Sequence, residues 1–158
     1  MTDRALKPPS GAASSDRYRL GCVAFNLRRA SRLVTRRYED AMRPLDMKAF
    51  QFTALAALTG RGVIPLAVLA DLFGMDQSTV SRNIRAMERK GWVRLTNDPK
   101  DGRKKHVAAT DDGRAAFDEA TPLWEQAQAE TRKMMNGFDW DDQRSWLAAV
   151  GGSIEGEA

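Results

Sequence analysis

The sequence predicts a mainly α-helical protein with one small β-hairpin. Through most of the chain, apolar residues recur at steps of three and four, which is typical of helices that bury one face. Between residues 92 and 109 this period is lost, and two short strand-like segments flank a turn that contains Pro and Gly. The expected order is therefore four helices, a hairpin and two further helices.

The first four helices are predicted from their apolar stripes and from the residues that interrupt them. They span about 17–42, 47–58, 65–73 and 76–90. Each is followed by a residue or segment that helices disfavour: Pro44, Gly60-Arg61-Gly62, Gly74 and Gly91. Pro65 suits the first turn of the third helix. Asp76 or Ser78 is the expected cap of the fourth helix.

The hairpin and the C-terminal helices follow from the same kind of evidence. The segments "WVRLT" (92–96) and "KKHVAA" (104–109) are predicted as strands, and "NDPKDGR" (97–103) as the turn between them. Helical spacing then resumes at about 111–135 and 141–154.

Composition excludes several classes of protein. The chain has 158 residues and a net charge of +4, with one Cys and one His. A single Cys excludes a disulfide within the chain, and one His with one Cys cannot build a zinc site from those ligands alone. The segment "TGRGVIP" lacks the Lys-Ser/Thr of a phosphate-binding loop. We therefore expect no catalytic site, no cofactor and no metal.

The N-terminal segment and the hydropathy pattern bear on location. "MTDRALKPPSGAASSDR" lacks the apolar stretch of a signal peptide. No apolar run reaches the roughly 18 residues that a membrane-spanning helix needs. We expect a cytoplasmic protein without a membrane partner, in which residues 1–16 form a flexible tail.

Charge is unevenly distributed along the chain. Residues 17–43 carry eight basic and two acidic residues, and residues 82–105 carry nine basic and three acidic residues, a balance of +6 in each. Residues 111–158 carry four basic and eleven acidic residues, a balance of −7. A basic middle indicates a polyanionic partner for that part of the chain, although basic residues can also simply cover a solvated face.

The third and fourth predicted helices make a helix-turn-helix candidate. In the fourth, Val80, Ile84 and Met87 fall on one face. Guanidinium groups and hydroxyls at helical spacing on another face suit a DNA major groove and its phosphates. The candidate DNA-binding residues of this helix are Ser78, Thr79, Ser81, Arg82, Arg85 and Arg89.

The predicted hairpin places cations at the end of a thin projection. Such a wing can lie along the DNA backbone or enter the adjacent minor groove. Asp101 lies two residues before Arg103 and can accept hydrogen bonds that hold the guanidinium extended. The candidate DNA-binding residues here are Lys100, Asp101, Arg103, Lys104 and Lys105.

These segments resemble the recognition helix and wing of the MarR (multiple-antibiotic-resistance-regulator) transcription factors. The resemblance rests on "STVSRNIRAMERKGWV", "DPKDGR", Thr110 and Gly113. That family has Asp-x-Arg, five residues, Leu-Thr, two residues and Gly. The corresponding residues here are Asp101-Gly102-Arg103, then Ala109-Thr110 and Gly113. Two positions depart from the pattern: Ala109 replaces Leu, and Leu95 stands where many members carry Arg.

The resemblance implies a single domain over 17–158, with a winged helix-turn-helix lobe at about 47–110 and dimerisation helices at about 17–43 and 111–156. It also implies a homodimeric bacterial repressor on a pseudo-palindromic double-stranded operator, released by a small aromatic or phenolic effector or by thiol oxidation. The apolar content of the C-terminal helices independently favours a dimer: Trp124, Trp140, Trp146, Leu147, Val150 and Ile154.

Alternative interpretations remain open. Cys22 lies near the start of the first helix and is a possible redox site, although a lone Cys is commonly a small buried apolar residue. His106, in the hairpin, is interpreted as structural. A weakly specific architectural DNA-binding protein would show the same basic surfaces, and would differ by binding all sequences alike.

Overall fold

The computed structural model describes residues 21–135 and 139–156, and its order of elements confirms the predicted fold class. The predicted flexible tail (1–16) and the predicted start of the first helix at 17 lie outside the described residues. The elements are α1 (Val23–Ala41), a 3-10 turn (Arg43–Leu45), α2 (Ala49–Arg61), β1 (Ile64–Pro65), α3 (Leu66–Phe73), α4 (Gln77–Arg89), β2 (Val93–Asn97), β3 (Lys105–Ala109), α5 (Asp111–Met134) and α6 (Trp140–Gly156).

The chain divides into two units, residues 1–37 and 38–158. The described part of the first unit is residues 21–37, most of which belong to α1, and α1 contains no buried residue. Large apolar side chains on this helix are exposed: Val23, Phe25, Leu27, Leu33 and Val34.

The second unit holds the hydrophobic core, which the short helices and the sheet share. Its largest fully buried side chains are Met42, Met47, Leu55, Leu58, Leu69, Val80, Ile84, Met87 and Val107. Full burial of such a side chain contributes about 1.5–3 kcal/mol. The three from α4 are the residues whose spacing predicted its inward face, so that prediction is confirmed.

The sheet has three antiparallel strands in the order β1-β3-β2. β2 and β3 form the predicted hairpin, with Val93 opposite Ala109 and Leu95 opposite Val107. The third strand, β1, was not predicted. It is only two residues long, too short for a period to be visible, and Pro65 fits because it lies at the edge of the sheet.

Two predicted boundaries around α2 and α3 were wrong. α2 continues through Gly60 to Arg61, and Gly62, with φ of 78°, ends it. A positive φ costs Gly little, whereas Gly inside a helix is unfavourable but tolerated. Pro65 lies immediately before α3 rather than in its first turn.

The long helix α5 packs on α2 through aromatic rings. Trp124 stacks on Phe52 at a centroid distance of 5.5 Å, and Phe117 lies 5.1 Å from the same ring. Trp124 therefore packs within its own chain, contrary to the expectation that it adds to surface left for a partner. Met134, at the C-terminal end of α5, is 63% exposed. The side chains of Trp140, Val150 and Ile154 lie outside the described residues.

The junction between the hairpin and α5 is a close backbone contact. Thr110 Oγ1 donates to the Gly91 carbonyl oxygen at 2.6 Å and accepts from Gly113 N at 3.0 Å, so it caps α5 while holding the residue that ends α4. A Cβ on Gly113 would lie 1.9 Å from the Trp92 carbonyl oxygen. This contact accounts physically for a Thr and a Gly at these two positions.

Replacing Gly113 by Ala is expected to destabilise the fold, because the new methyl group meets backbone that cannot move aside. We expect a loss of about 1–3 kcal/mol in the free energy of unfolding, measured by urea denaturation. Gly60→Ala is the matched control, since Gly60 also lies in a helix but faces open space. It should stabilise by about 0.5–1 kcal/mol. Equal stability of the two variants would contradict the proposed contact.

Candidate nucleic-acid interface

α3 and α4 form the helix-turn-helix, and its turn depends on Gly74. Gly74 follows α3 with φ of 56°, a left-handed conformation that a residue with a Cβ adopts only with strain. Its backbone N–H closes α3 by donating to the Asp71 carbonyl oxygen at 3.0 Å. The chain is thereby redirected so that α4 starts three residues later, at Gln77.

Asp76 caps α4, which decides between the two predicted caps. Its Oδ1 accepts from Thr79 N at 2.8 Å and from Ser78 Oγ at 2.5 Å, and its Oδ2 accepts from Thr79 Oγ1 at 2.6 Å. Ser78 is thus a donor to the cap rather than the cap itself. These hydrogen bonds, first from Ser78 and then from Thr79, hold the pKa of Asp76 well below its usual range.

The outer face of α4 carries the predicted arginines. Arg82, Arg85 and Arg89 are exposed on the side opposite the fully buried apolar residues, as is Ser78, whereas Thr79 and Ser81 are half-buried. Arg82 is also held from within the helix, because its Nη2 donates to Thr79 Oγ1 at 3.1 Å. The helix therefore presents a row of guanidinium groups, the first of which is already oriented.

Lys90, directly after α4, has a different role from the arginines. Its Nζ forms an ion pair with Asp46 Oδ2 at 2.7 Å and lies 4.5 Å from the centroid of the Trp92 ring. The hydrogen bond from Lys90 lowers the pKa of Asp46. The residue fastens the end of α4 to the turn that follows α1, so its charge belongs to the scaffold.

The turn of the wing is organised by Asp98. Its Oδ1 accepts from the backbone N–H groups of Lys100 at 2.7 Å and Asp101 at 3.0 Å, which lowers the pKa of Asp98. The backbone N–H of Asp98 in turn donates to the Lys104 carbonyl at 2.9 Å. His106 Nε2 lies 3.6 Å from Asp98 Oδ2 and the imidazole is half-buried, in keeping with the structural role expected for it.

Arg103 is the most prominent cation of the wing. Its side chain is 94% exposed, and its Nε lies 3.3 Å from Asp101 Oδ1. Asp101 also accepts from the backbone N–H of Arg103 at 3.2 Å, so both the backbone and the guanidinium of Arg103 bond to the carboxylate that was expected to hold it. Lys100 and Lys104 are exposed as well, while the exposed Lys105 bonds its Nζ to Asn97 Oδ1.

At the base of the wing, the two departures from the family pattern are both apolar contacts with the core. Ala109 is buried at the end of β3. Leu95 packs against the core, and its backbone N–H donates to Glu88 Oε1 at 3.3 Å. The cation that many members place at the second position is therefore replaced here by packing.

The remaining candidate, Cys22, is a free and exposed cysteine in the first unit. In the described part of the chain, no group of three or more His, Cys, Asp or Glu residues is placed to hold a metal ion. Nor is any helix among residues 21–135 and 139–156 long and apolar enough to cross a membrane.

Sequence reasoning missed the contributions of two acidic residues to this surface. Asp98 was predicted only as part of a turn, yet it interacts with the N–H groups of Lys100 and Asp101 and with the His106 imidazole. Asp76 was predicted only as a helix cap. The signal was available in part: an Asp three residues before Thr79, and an Asp-Pro-Lys-Asp order, favour side-chain bonds to nearby backbone N–H groups. The link from Thr79 to Arg82 depends on rotamers, which the pattern does not reveal.

Comparison with known proteins agrees with this geometry. A sequence profile of the MarR family matches residues 45–104. The M. tuberculosis transcriptional regulator MosR, solved in complex with DNA, is 33% identical, with a TM-score of 0.76 over 85% of this chain and 97% of that one. The Pseudomonas putida HTH-type transcriptional repressor NicR is 29% identical over 104 residues, 66% of each chain.

A third relative has its DNA binding regulated by a small aromatic acid. This relative is Bordetella bronchiseptica BpsR, whose DNA binding is regulated by 6-hydroxynicotinic acid. It is 26% identical, with a TM-score of 0.68 over 85% of this chain and 94% of that one. Together with the winged helix-turn-helix and its row of exposed arginines, these similarities establish the identity of the protein at family level: the chain belongs to the MarR family of DNA-binding transcriptional regulators.

Proposed function

We propose that the protein is a homodimeric repressor that binds a pseudo-palindromic double-stranded operator, with α4 in the major groove and the β2–β3 hairpin on the neighbouring backbone or minor groove. The observation that carries this proposal is the division of α4 into a fully buried apolar face and an exposed face that bears Arg82, Arg85 and Arg89. A helix held this firmly can place guanidinium groups against base edges without rearranging.

The residues of the two elements take different roles in this proposal. Arg82 and Arg85 read bases, while Arg89 and the hydroxyl of Ser81 approach phosphates. Ser78 instead supports the helix cap through its hydrogen bond to Asp76. The wing cations Lys100, Arg103, Lys104 and Lys105 neutralise backbone charge, with Asp101 holding Arg103. Repression follows because a dimer on its operator occupies DNA that the transcription machinery needs, and the relative NicR is itself a repressor.

A small aromatic or phenolic effector is the proposed release signal, and the regulation of BpsR by 6-hydroxynicotinic acid supports this chemistry. The test is a titration of 6-hydroxynicotinic acid and other hydroxylated aromatic acids into the protein–DNA complex. The exposed thiol of Cys22 favours oxidation as the second candidate signal. Loss of peroxide-induced release in Cys22→Ser, with aromatic acids inactive on both proteins, would select the second candidate.

Sequence-specific binding is tested by selecting duplexes from a random library with the full-length protein. The recovered duplexes should share two half-sites about one helical turn apart. At a fixed salt concentration, they should bind at least about 10³-fold more tightly than a shuffled duplex. Recovery of no shared sequence, with equal affinity for both duplexes, would instead identify an architectural DNA-binding protein.

Truncating either central arginine of α4 should weaken binding to the selected duplex. Arg82→Ala or Arg85→Ala removes a base contact, with an expected loss of about 1–3 kcal/mol that fluorescence anisotropy measures at constant salt. The fold should be unaffected, because both side chains are exposed. Arg61→Ala, an exposed arginine at the end of α2, is the control and should bind normally. If both α4 variants bind with wild-type affinity, α4 does not contact the DNA.

The wing should act on all sequences alike. Arg103→Ala is expected to weaken binding to selected and shuffled duplexes equally and to lower the slope of log K against log salt by about one. Asp101→Ala should have a milder effect, since Arg103 remains but is no longer held. Arg114→Ala is the matched control, because Arg114 is likewise exposed and paired with a nearby acid, Asp111. If Asp101→Ala binds normally while Arg103→Ala binds weakly, Asp101 does not hold Arg103 in place, but Arg103 still contacts DNA.

The proposed dimer is supported by apolar side chains that the single chain leaves exposed. On α6, Trp146 is 52% and Leu147 is 45% exposed. The double variant Trp146→Ala/Leu147→Ala should convert a dimer into a monomer in light scattering and lower operator affinity, since one lobe makes half of the contacts. Ser145→Ala, an exposed neighbour, should remain dimeric. A dimeric double variant with wild-type affinity would place the interface elsewhere.

A further inference from the structure

Three side chains at the start of α4 are joined in one chain of hydrogen bonds. Thr79 Oγ1 donates to Asp76 Oδ2 at 2.6 Å, and Arg82 Nη2 donates to Thr79 Oγ1 at 3.1 Å. A hydroxyl carries a single proton, and that of Thr79 is directed at the carboxylate, so only its lone pairs face Arg82. The direction of every bond in this chain is therefore determined, from guanidinium to hydroxyl to carboxylate.

The carboxylate end of the chain is fixed by the backbone. Asp76 Oδ1 accepts from Thr79 N at 2.8 Å and from Ser78 Oγ at 2.5 Å, which leaves the carboxylate little freedom to rotate. Thr79 is β-branched, and a helix restricts it to two χ1 rotamers. Two short, restrained side chains thus connect the helix backbone to the long and otherwise flexible Arg82.

We propose that Asp76 and Thr79 are positioning residues for Arg82: they hold its guanidinium in the orientation in which its remaining N–H groups meet a guanine edge. This inference rests on the proposed function, and it changes the role of Thr79. A hydroxyl whose proton is committed to Asp76 does not donate to a phosphate oxygen, so Thr79 acts through Arg82 rather than on the DNA directly.

The physical benefit is preorganisation. An exposed arginine samples many rotamers and loses that freedom when it binds, which subtracts from affinity. A guanidinium already restrained on one nitrogen loses less, and its remaining donors keep the fork geometry that matches two acceptors on guanine. The negative charge of Asp76 attracts the guanidinium and so favours this orientation.

A double-mutant cycle tests the proposal on a duplex selected by the full-length protein. Thr79→Val removes the hydroxyl but keeps the backbone bond from residue 79 to Asp76, so the helix cap remains. We expect it to bind about fivefold more weakly, the change that corresponds to one hydrogen bond of about 1 kcal/mol. In an Arg82→Ala background, Thr79→Val should cause no further loss. Thr79→Ser should restore wild-type affinity in the Arg82 protein.

A second readout distinguishes positioning from a general effect on the fold. Thr79→Val and Arg82→Ala should relax base preference at the same position of the duplex, which a merely less stable protein would not do. Thr121→Val is the matched control, because that hydroxyl also bonds within a helix, to the Phe117 carbonyl oxygen at 2.8 Å, but lies in α5. It should leave affinity and base preference unchanged.

The outcomes separate this proposal from the proposed function. If Thr79→Val weakens binding equally with and without Arg82, or is harmless while Arg82→Ala weakens binding, the positioning role is wrong and the DNA-binding role of α4 stands. If Arg82→Ala itself leaves binding unchanged, the proposed role of α4 fails first. Melting temperatures of all variants, followed by circular dichroism, confirm that affinities are compared between folded proteins.

Discussion

The exposed arginines of α4 are useful only because the opposite side of that helix is immobile. Val80, Ile84 and Met87 are fully buried, each one turn from the next, and they bind α4 to the core over most of its length. An interior of this kind is close-packed and resists displacement. The outward direction of the arginines is therefore a consequence of core packing. The exposed face of α4 is rigid because its buried apolar face is rigid.

Carboxylates supply the finer order on top of that packing. Asp76 and Asp98 have similar roles in the two elements. The hydroxyls of Ser78 and Thr79 and the Thr79 N–H lower the pKa of Asp76, and the backbone N–H groups of Lys100 and Asp101 lower that of Asp98. In a strongly basic region, ionised acids reduce the net positive charge that attracts DNA. Here the two carboxylates accept hydrogen bonds from local N–H and O–H donors. They therefore orient nearby cations while reducing the overall positive field only slightly.

The elements with regular periods were predictable from the sequence, and those set by tertiary contacts were not. The helical steps at 80, 84 and 87 and the strand change near 92 gave the helix-turn-helix and its wing, with boundaries close to those observed. β1 was not predicted because a strand of two residues shows no periodicity. The end of α2 was placed too early because the helix tolerates Gly60 and ends only at Gly62, whose positive φ favours glycine. Trp124 was assigned to a partner because sequence spacing does not reveal that Phe52 faces it.

For the candidate site, too, the sequence shows which residues are charged but not which tertiary contacts those charges make. Nine basic residues between 82 and 105 predicted an anionic partner, but a count treats every cation alike. In the folded chain Lys90 is half-buried and paired with Asp46 and Trp92, whereas Arg85 and Arg89 lie exposed on α4. A cation already held by a carboxylate and an aromatic ring must give up those contacts to meet a phosphate, so it contributes less to counterion release than an exposed one. The affinity of this surface for DNA thus depends on which cations the fold keeps exposed, more than on the basic composition that first indicated it.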